Sequence, residues 1–170
     1  MTTSLTPHGL LRGVLAGAAG ALAVAAIATL AAGASVRTLH FYQRSGPSRF
    51  TNAAGHPIKL DPPATLPTAG DRLDESDLDF VGTAKHHAKH ATASDHIACT
   101  FTGSSSATCD LQVAVGGSML LANNFTFVFT PSPKSVVEIN EGTGAFAGVH
   151  GTYTEVDLPS GNANITLRTS

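Results

Sequence analysis

The chain has 170 residues, enough for one domain of ordinary size. Its net charge is -2 and only 13% of its residues are charged, which excludes the basic surface that a nucleic-acid partner requires. Trp is absent and there are 17 Gly, a composition typical of short strands and turns rather than of a helix bundle.

The N-terminal region predicts a secretory signal peptide. Residues 13–34 are almost all Ala, Gly, Val, Leu and Ile, and the run ends in Ala32-Gly33-Ala34. This pattern favours a signal helix at 1–34, cleavage after Ala34 and a secreted, extracellular protein. The apolar run is also long enough to span a bilayer, so an uncleaved anchor that tethers the domain to a membrane is the alternative.

Residues 35–170 form the predicted domain, with a proline-rich loop at 44–71. No helical periodicity of useful length follows the signal, and alternating apolar and polar residues predict eight strands. These are 36–42, 78–88, 94–102, 107–115, 118–130, 134–140, 149–157 and 162–168. Short sequential strands joined by tight turns indicate an all-β barrel or sandwich. Because closure removes exposed strand edges, we expect an eight-stranded antiparallel barrel of the up-and-down, calycin-like type.

Two cysteines predict a structural disulfide. Cys99 and Cys109 are symmetric about Ser104, and Gly103-Ser-Ser is a suitable three-residue hairpin loop. Cys99 then faces Cys109, within disulfide range, and Thr102 faces Ser106. No C-x-x-C motif or thiolate-activating neighbour favours redox or metal chemistry.

Two polar clusters are candidate metal sites, but neither pattern is specific. The acidic segment 71–79 lacks the spacing of an EF-hand, which favours a solvated start to a strand. His86, His87 and His90 lie beside lysines and lack a nearby carboxylate, which favours an exposed polar strand. We therefore expect no metal and no cofactor.

An aromatic stripe marks the strongest strand. Phe125, Phe127 and Phe129 share one face and must be buried against a core, a lumen or a partner.

The stretch 142–153 is punctuated by glycines and predicts a tight connection between two strands. From Glu141 to Gly151 it resembles the G-G-T-G-x-[FY]-x-G-A-R-G motif of dirigent proteins and of the allene oxide cyclase barrel superfamily. Thr38–Tyr42 is similar to that family's first strand. Three positions differ: Glu141 replaces the first Gly, His150 replaces the Arg, and Gln43 follows Tyr42 where the family has an acid.

The resemblance implies an antiparallel barrel that forms a homotrimer or homodimer and binds a small apolar or phenolic molecule in its lumen. If the barrel is catalytic, it acts as an isomerase-like cyclase or as a stereochemical guide of radical coupling, by orienting an already reactive molecule. The candidate residues for orientation and proton transfer are Asp79, Glu138, His150 and Tyr153. For His150, capping of a turn is the alternative. A non-catalytic binding or structural module, with the interior filled by side chains, is the alternative function.

Overall fold

The computed structural model describes residues 36–60, 65–129 and 132–170, so the predicted signal peptide lies outside the described residues. Eleven strands form one antiparallel sheet system. They are β1 (Arg37–Arg44), β2 (Ser48–Thr51), β3 (Arg72–Thr83), β4 (His86–His87), β5 (Ala93–Phe101), β6 (Ser106–Val115), β7 (Ser118–Val128), β8 (Lys134–Ile139), β9 (Glu141–Gly142), β10 (Gly151–Asp157) and β11 (Ala163–Thr169). Within the described residues we find no helix of the length and hydrophobicity needed to cross a membrane.

The long strands follow one another around a barrel. Their order is β8-β10-β11-β1-β3-β5-β6-β7, which is chain order with the break between β7 and β8. The prediction of an all-β, up-and-down antiparallel barrel is confirmed. The strand count differs from eight because β2 and β4 pair with β3, and β9 pairs with β7.

Two apolar clusters occupy the two ends of the barrel. The lower end, as we define it, is closed by the 3₁₀ turn Gly144–Phe146, whose Phe146 packs with Leu120, Ile139 and Leu167. The upper end contains Phe101 and the Cys99–Cys109 disulfide, packed against Leu73 and Phe127. The predicted pairing is present: Cys99 faces Cys109 in register, and the Thr102 and Ser106 hydroxyls lie 2.8 Å apart.

A β-bulge in β7 turns the phenylalanine stripe toward the lumen. The β6–β7 register shifts between Cys109 and Leu111, where Asn124 adopts a φ of 54° and its backbone N–H donates to Asp110 Oδ1 over 2.7 Å. One extra residue exchanges the two faces of a strand. Leu120 and Ala122 therefore point inward before the bulge, and the odd-numbered Phe125, Phe127 and Phe129 do so after it.

The barrel is joined only partly between β7 and β8. At its lower half, the Asn140 N–H donates to the Leu121 carbonyl over 3.0 Å, and β9 then pairs with Leu120 and Leu121. Among the described residues, β7 and β8 share no strand ladder above this point. A groove remains there between Thr126–Phe129 and Lys134–Val136, and we call it the β7–β8 seam.

Three sequence predictions of local structure need correction. The predicted loop 44–71 contains a strand, β2 (Ser48–Thr51), because this segment pairs with β3. The predicted strand 78–88 is two elements, because Gly82, with a φ of 116°, makes a close approach to the His86 carbonyl and folds β4 back onto β3. The glycine stretch is more than a tight connection. It contributes β9 and the 3₁₀ turn, which the Ser118 hydroxyl fixes by accepting from the Ala145 N–H over 2.9 Å.

Candidate functional site

A cavity of about 280 Å³ lies inside the upper half of the barrel. Its apolar walls include Ile97, Leu111, Val137 and the phenylalanines Phe127 and Phe129. The two rings pack edge to face with centroids 4.9 Å apart. This size and mixed lining are typical of a pocket for one small molecule. The alternative of an interior filled by side chains does not describe this half of the barrel.

Three hydrogen-bonded side chains lie together on the lining of the cavity. Gln43 Nε2 donates to Asp95 Oδ2 over 2.7 Å and to the Tyr153 hydroxyl over 3.1 Å. The Tyr153 hydroxyl in turn donates to Asp95 Oδ2 over 2.9 Å. All three residues are buried and come from β1, β5 and β10. We call them the polar cluster.

The inward face of β3 adds acidic groups beside this cluster. Asp77 is the register partner of Asp95 on β5, and its Oδ1 accepts from the Gly46 N–H over 2.7 Å. Asp79 is fully buried, and neither of its carboxyl oxygens has a hydrogen-bond partner among the described residues. A buried carboxyl without partners strongly disfavours its ionised form.

Burial moves the acidic groups toward neutral pH. Desolvation, with a contribution from Asp95, raises the pKa of Asp79 to about 8. Desolvation and Asp77 raise the pKa of Asp95 to about 6, although the hydrogen bonds from Tyr153 and Gln43 act in the opposite direction. For Glu155, desolvation and Asp157 raise the pKa to about 7.

These values have a direct chemical consequence. Asp95 and Glu155, which both line the cavity, exchange protons near physiological pH and so are suited to general acid–base roles. Desolvation also raises the pKa of Tyr153 well above its usual range, so its hydroxyl remains a proton donor in hydrogen bonds.

The structure separates the four residues that the sequence proposes. Tyr153 lines the cavity, and Asp79 lies buried on the inward face of β3, outside the cavity lining. Glu138 and His150 are exposed and are not part of the cavity lining. Glu138 alternates with the inward Val137 and Ile139, and His150 precedes β10. Whether any of the four is catalytic stays a prediction.

Sequence reasoning misses several groups of the site. The acidic segment is predicted to be a solvated start to a strand, yet Asp77, which is not among the sequence candidates, is buried inside β3 and lines the cavity. Asp95 and Glu155 are not among the sequence candidates. Asp95 lies two residues before the inward-facing Ile97, and Glu155 lies two residues after the inward-facing Tyr153. The sequence signal for both residues is the alternation along each strand, which places them on the same face as these inward residues. Gln43, where the resemblance expects an acid, faces the interior and binds the carboxylate of Asp95 instead.

The fold and its lumen define the class of protein: an antiparallel barrel with an internal cavity. Neither a comparison with protein-family models nor one with curated proteins finds a match. Solved structures do match. A pyocyanin demethylase is 16% identical, with a TM-score of 0.56 over 79% of this chain and 100% of that one.

Dirigent proteins match to a similar degree. The pterocarpan synthase dirigent protein PsPTS1 is 18% identical, with a TM-score of 0.54 over 79% of this chain and 93% of that one. For GePTS1, also a pterocarpan synthase dirigent protein, the identity is 20% and the TM-score 0.51, over 80% and 86% of the two chains. The chain therefore has the dirigent-like barrel fold that its glycine motif predicts.

Proposed function

We propose that this protein is a secreted dirigent-like barrel that binds a small aromatic, phenolic molecule in its upper cavity and guides its cyclisation or coupling. The observation that carries the proposal is the 280 Å³ cavity, in which phenylalanine walls face the polar cluster. The similarity of fold to pterocarpan synthase dirigent proteins supports the same class of ligand.

The geometry suggests how the cavity would act. The two phenylalanines Phe127 and Phe129 provide flat apolar surface for a ring, and the polar cluster provides hydrogen-bond partners for a hydroxyl or carbonyl group. A molecule held in one orientation can close or couple in only one way, which is catalysis by orientation. Asp95 and Glu155 are placed to transfer a proton where the reaction needs one.

Binding is tested first by titrating the protein with 2-naphthol and coniferyl alcohol in a calorimeter. Phe127→Trp fills the cavity and should abolish binding, whereas Asp74→Asn, on the exposed face of β3, should leave it unchanged. Glu138→Gln and His150→Gln separate the interior site from the sequence-based candidates. Loss of binding in these two variants, with Phe127→Trp unaffected, would contradict the interior site.

Guidance of a reaction is tested separately from binding. Coniferyl alcohol radicals are generated by a laccase and O₂, and the enantiomeric excess of the coupled products is measured with and without the protein. A guiding barrel gives an excess that Phe127→Trp removes. Binding without any excess would support the alternative of a non-catalytic binding module.

Secretion and the domain boundary belong to the same proposal. The disulfide is typical of an oxidising compartment, and we propose that 1–34 is a signal peptide removed after Ala34. N-terminal sequencing of the exported protein should begin at Ser35. A product that retains 1–34 in the membrane fraction would support the tethered alternative.

A further inference from the structure

The charges that line the cavity are all of one sign. Among its described lining residues there is no Lys, Arg or His, and the acidic residues are Glu75, Asp77, Asp95, Glu155 and Asp157. The nearby basic groups lie outside. Arg44 places its guanidinium 4.9 Å from the centroid of Phe80 on the outer face, and Lys134 lines the β7–β8 seam.

We infer that the cavity selects a planar aromatic ligand that carries a positive charge, such as a quaternary or protonated ring nitrogen, and rejects ligands that carry a carboxylate. This inference rests on the proposed binding function and specifies its ligand class. It adds the charge of the ligand to the proposed function, because the shape and apolar surface of the cavity alone would accept an anionic or a neutral aromatic ring equally well.

A buried carboxyl without a hydrogen-bond partner lies next to the acidic lining, outside the cavity itself. Asp79 is fully buried on the inward face of β3, two residues from Asp77, and neither of its oxygens accepts a hydrogen bond from the described part of the chain. Among the described residues, no Lys, Arg or His is buried in the interior beside it to compensate its charge when it is ionised. A cation bound beside Asp77 and Asp95 would lower the electrostatic cost of the whole acidic group.

The titration behaviour agrees with an uncompensated acidic interior. Neighbouring carboxylates contribute to the raised pKa of Asp79, Asp95 and Glu155 in addition to burial. A bound cation stabilises the ionised forms, so its binding must release protons into solvent. A bound carboxylate would have the opposite effect and would be repelled as more of these groups ionise.

The aromatic wall determines the shape of the charged ligand. Phe127 and Phe129 lie on the side of the cavity formed by β7, and the face of a phenyl ring attracts a cation. A flat cation can therefore stack on the phenylalanines and meet carboxylates from β3, β5 and β10, which line the same cavity. A compact hydrated metal ion would leave the apolar half of the cavity without a partner.

Three matched probes test the inference: N-methylquinolinium, quinoline and quinoline-4-carboxylate, which share two fused rings and differ in charge. At about pH 7.5, where Asp95 and Glu155 are mostly ionised, we expect the cation to bind about tenfold more tightly than quinoline, and the carboxylate about tenfold more weakly. Calorimetry in two buffers of different ionisation enthalpy should show proton release with the cation.

The pH dependence gives a second readout. Affinity for N-methylquinolinium should increase from about pH 5 to about pH 8, as the interior groups lose their protons. The titratable groups that line the cavity are Glu75 and Asp77 on β3, Asp95 on β5, and Tyr153, Glu155 and Asp157 on β10. Asp79 lies on the inward face of β3, outside the lining.

Charge-neutralising variants locate the effect. Glu155→Gln should reduce the preference for the cation over quinoline by about fivefold to tenfold, and Asp74→Asn, an exposed carboxylate on β3, should not change it. If quinoline and quinoline-4-carboxylate bind as tightly as the cation, the inference is wrong but a binding cavity remains. If none of the probes binds, and 2-naphthol also fails, the proposed function itself is wrong.

Discussion

The Tyr153 hydroxyl donates a hydrogen bond to Asp95 Oδ2 over 2.9 Å across the barrel lumen. Tyr153 lies on β10 and Asp95 on β5, which are four places apart in the order of the eight long strands and so lie on opposite walls. Gln43 on β1, between them in that order, bonds to both. Hydrogen bonds therefore connect the walls of the lumen at the level of the cavity.

Removing the Tyr153 hydroxyl should affect both stability and the titration of Asp95. Tyr153→Phe removes a buried donor, so we expect a loss of about 1–2 kcal/mol in the free energy of unfolding, measured by urea denaturation. Because the Tyr153 hydrogen bond lowers the pKa of Asp95, that pKa should rise in the variant, as measured by carboxyl ¹³C NMR. Tyr42→Phe is the matched control on the outer face, and a pKa of Asp95 that is equal in both variants would contradict the prediction.

The buried Asp79 should make the protein more stable in acid than in mild alkali. Its pKa is about 8 in the folded state, against about 3.9 in an unfolded chain. Below about pH 4 both states carry the proton, and as pH rises toward 8 only the unfolded state has released it, so the folded state loses stability. The decrease that Asp79 alone could cause is on the order of 5 kcal/mol, and Asp95 and Glu155 act in the same direction.

A single substitution isolates this contribution. Asp79→Asn removes the ionisable group at nearly constant volume, so the variant should unfold at higher urea concentration than the wild type at about pH 8.5. Its stability should also depend less steeply on pH between about 4 and 8. Asp74→Asn, on the exposed face of the same strand, serves as the control. If the free energy of unfolding of Asp79→Asn depends on pH as steeply as that of the wild type, then ionisation of Asp79 does not destabilise the folded state.

Alternation along the strands is sufficient to predict the fold, because each long strand has one face toward the barrel interior. The hairpin around Ser104 could be predicted in detail, since loop length determines which residues face each other across it. The alternation of apolar inward and polar outward residues fails on β3, where Leu78 is 49% exposed and Asp79 is 0% exposed. Reasoning from hydrophobicity assigns the opposite faces, because it assumes an apolar interior and this lumen is lined by acids.

The polar cluster could not be predicted for a different reason. Gln43 is 52 residues from Asp95 and 110 from Tyr153, so only closure of the barrel brings them together. No local pattern contains that information. The aromatic stripe is predicted to be buried against a core, a lumen or a partner, and the choice of the lumen depends on the bulge at Asn124. For Phe129 the prediction of burial is wrong, because its side chain is 38% exposed.

The disulfide should stabilise the upper end of the barrel. Cys99 and Cys109 are 10 residues apart in sequence and pair within one hairpin, so the bond limits the freedom of the unfolded chain. The loop-entropy relation gives a contribution of about 3 kcal/mol. The double substitution of both cysteines by Ala should lower the free energy of unfolding by about that amount under oxidising conditions. Reducing agent should then no longer affect the variant's stability, and a difference of less than about 1 kcal/mol from the oxidised wild type would contradict the prediction.

The bulge at Asn124 should control both stability and the shape of the cavity. Its φ of 54° is unfavourable for a β-branched residue, so Asn124→Val should cost about 1–2 kcal/mol, whereas Asn124→Gly should be nearly neutral. Because the extra residue turns Phe127 toward the lumen, loss of the bulge would move that ring outside and remove one wall of the cavity. Asn124→Val should therefore also weaken binding of 2-naphthol, and Asn124→Gly, which tolerates the same φ, should retain it. Equal stability and binding in the two variants would mean that the backbone conformation at this position does not determine which face of β7 lines the cavity.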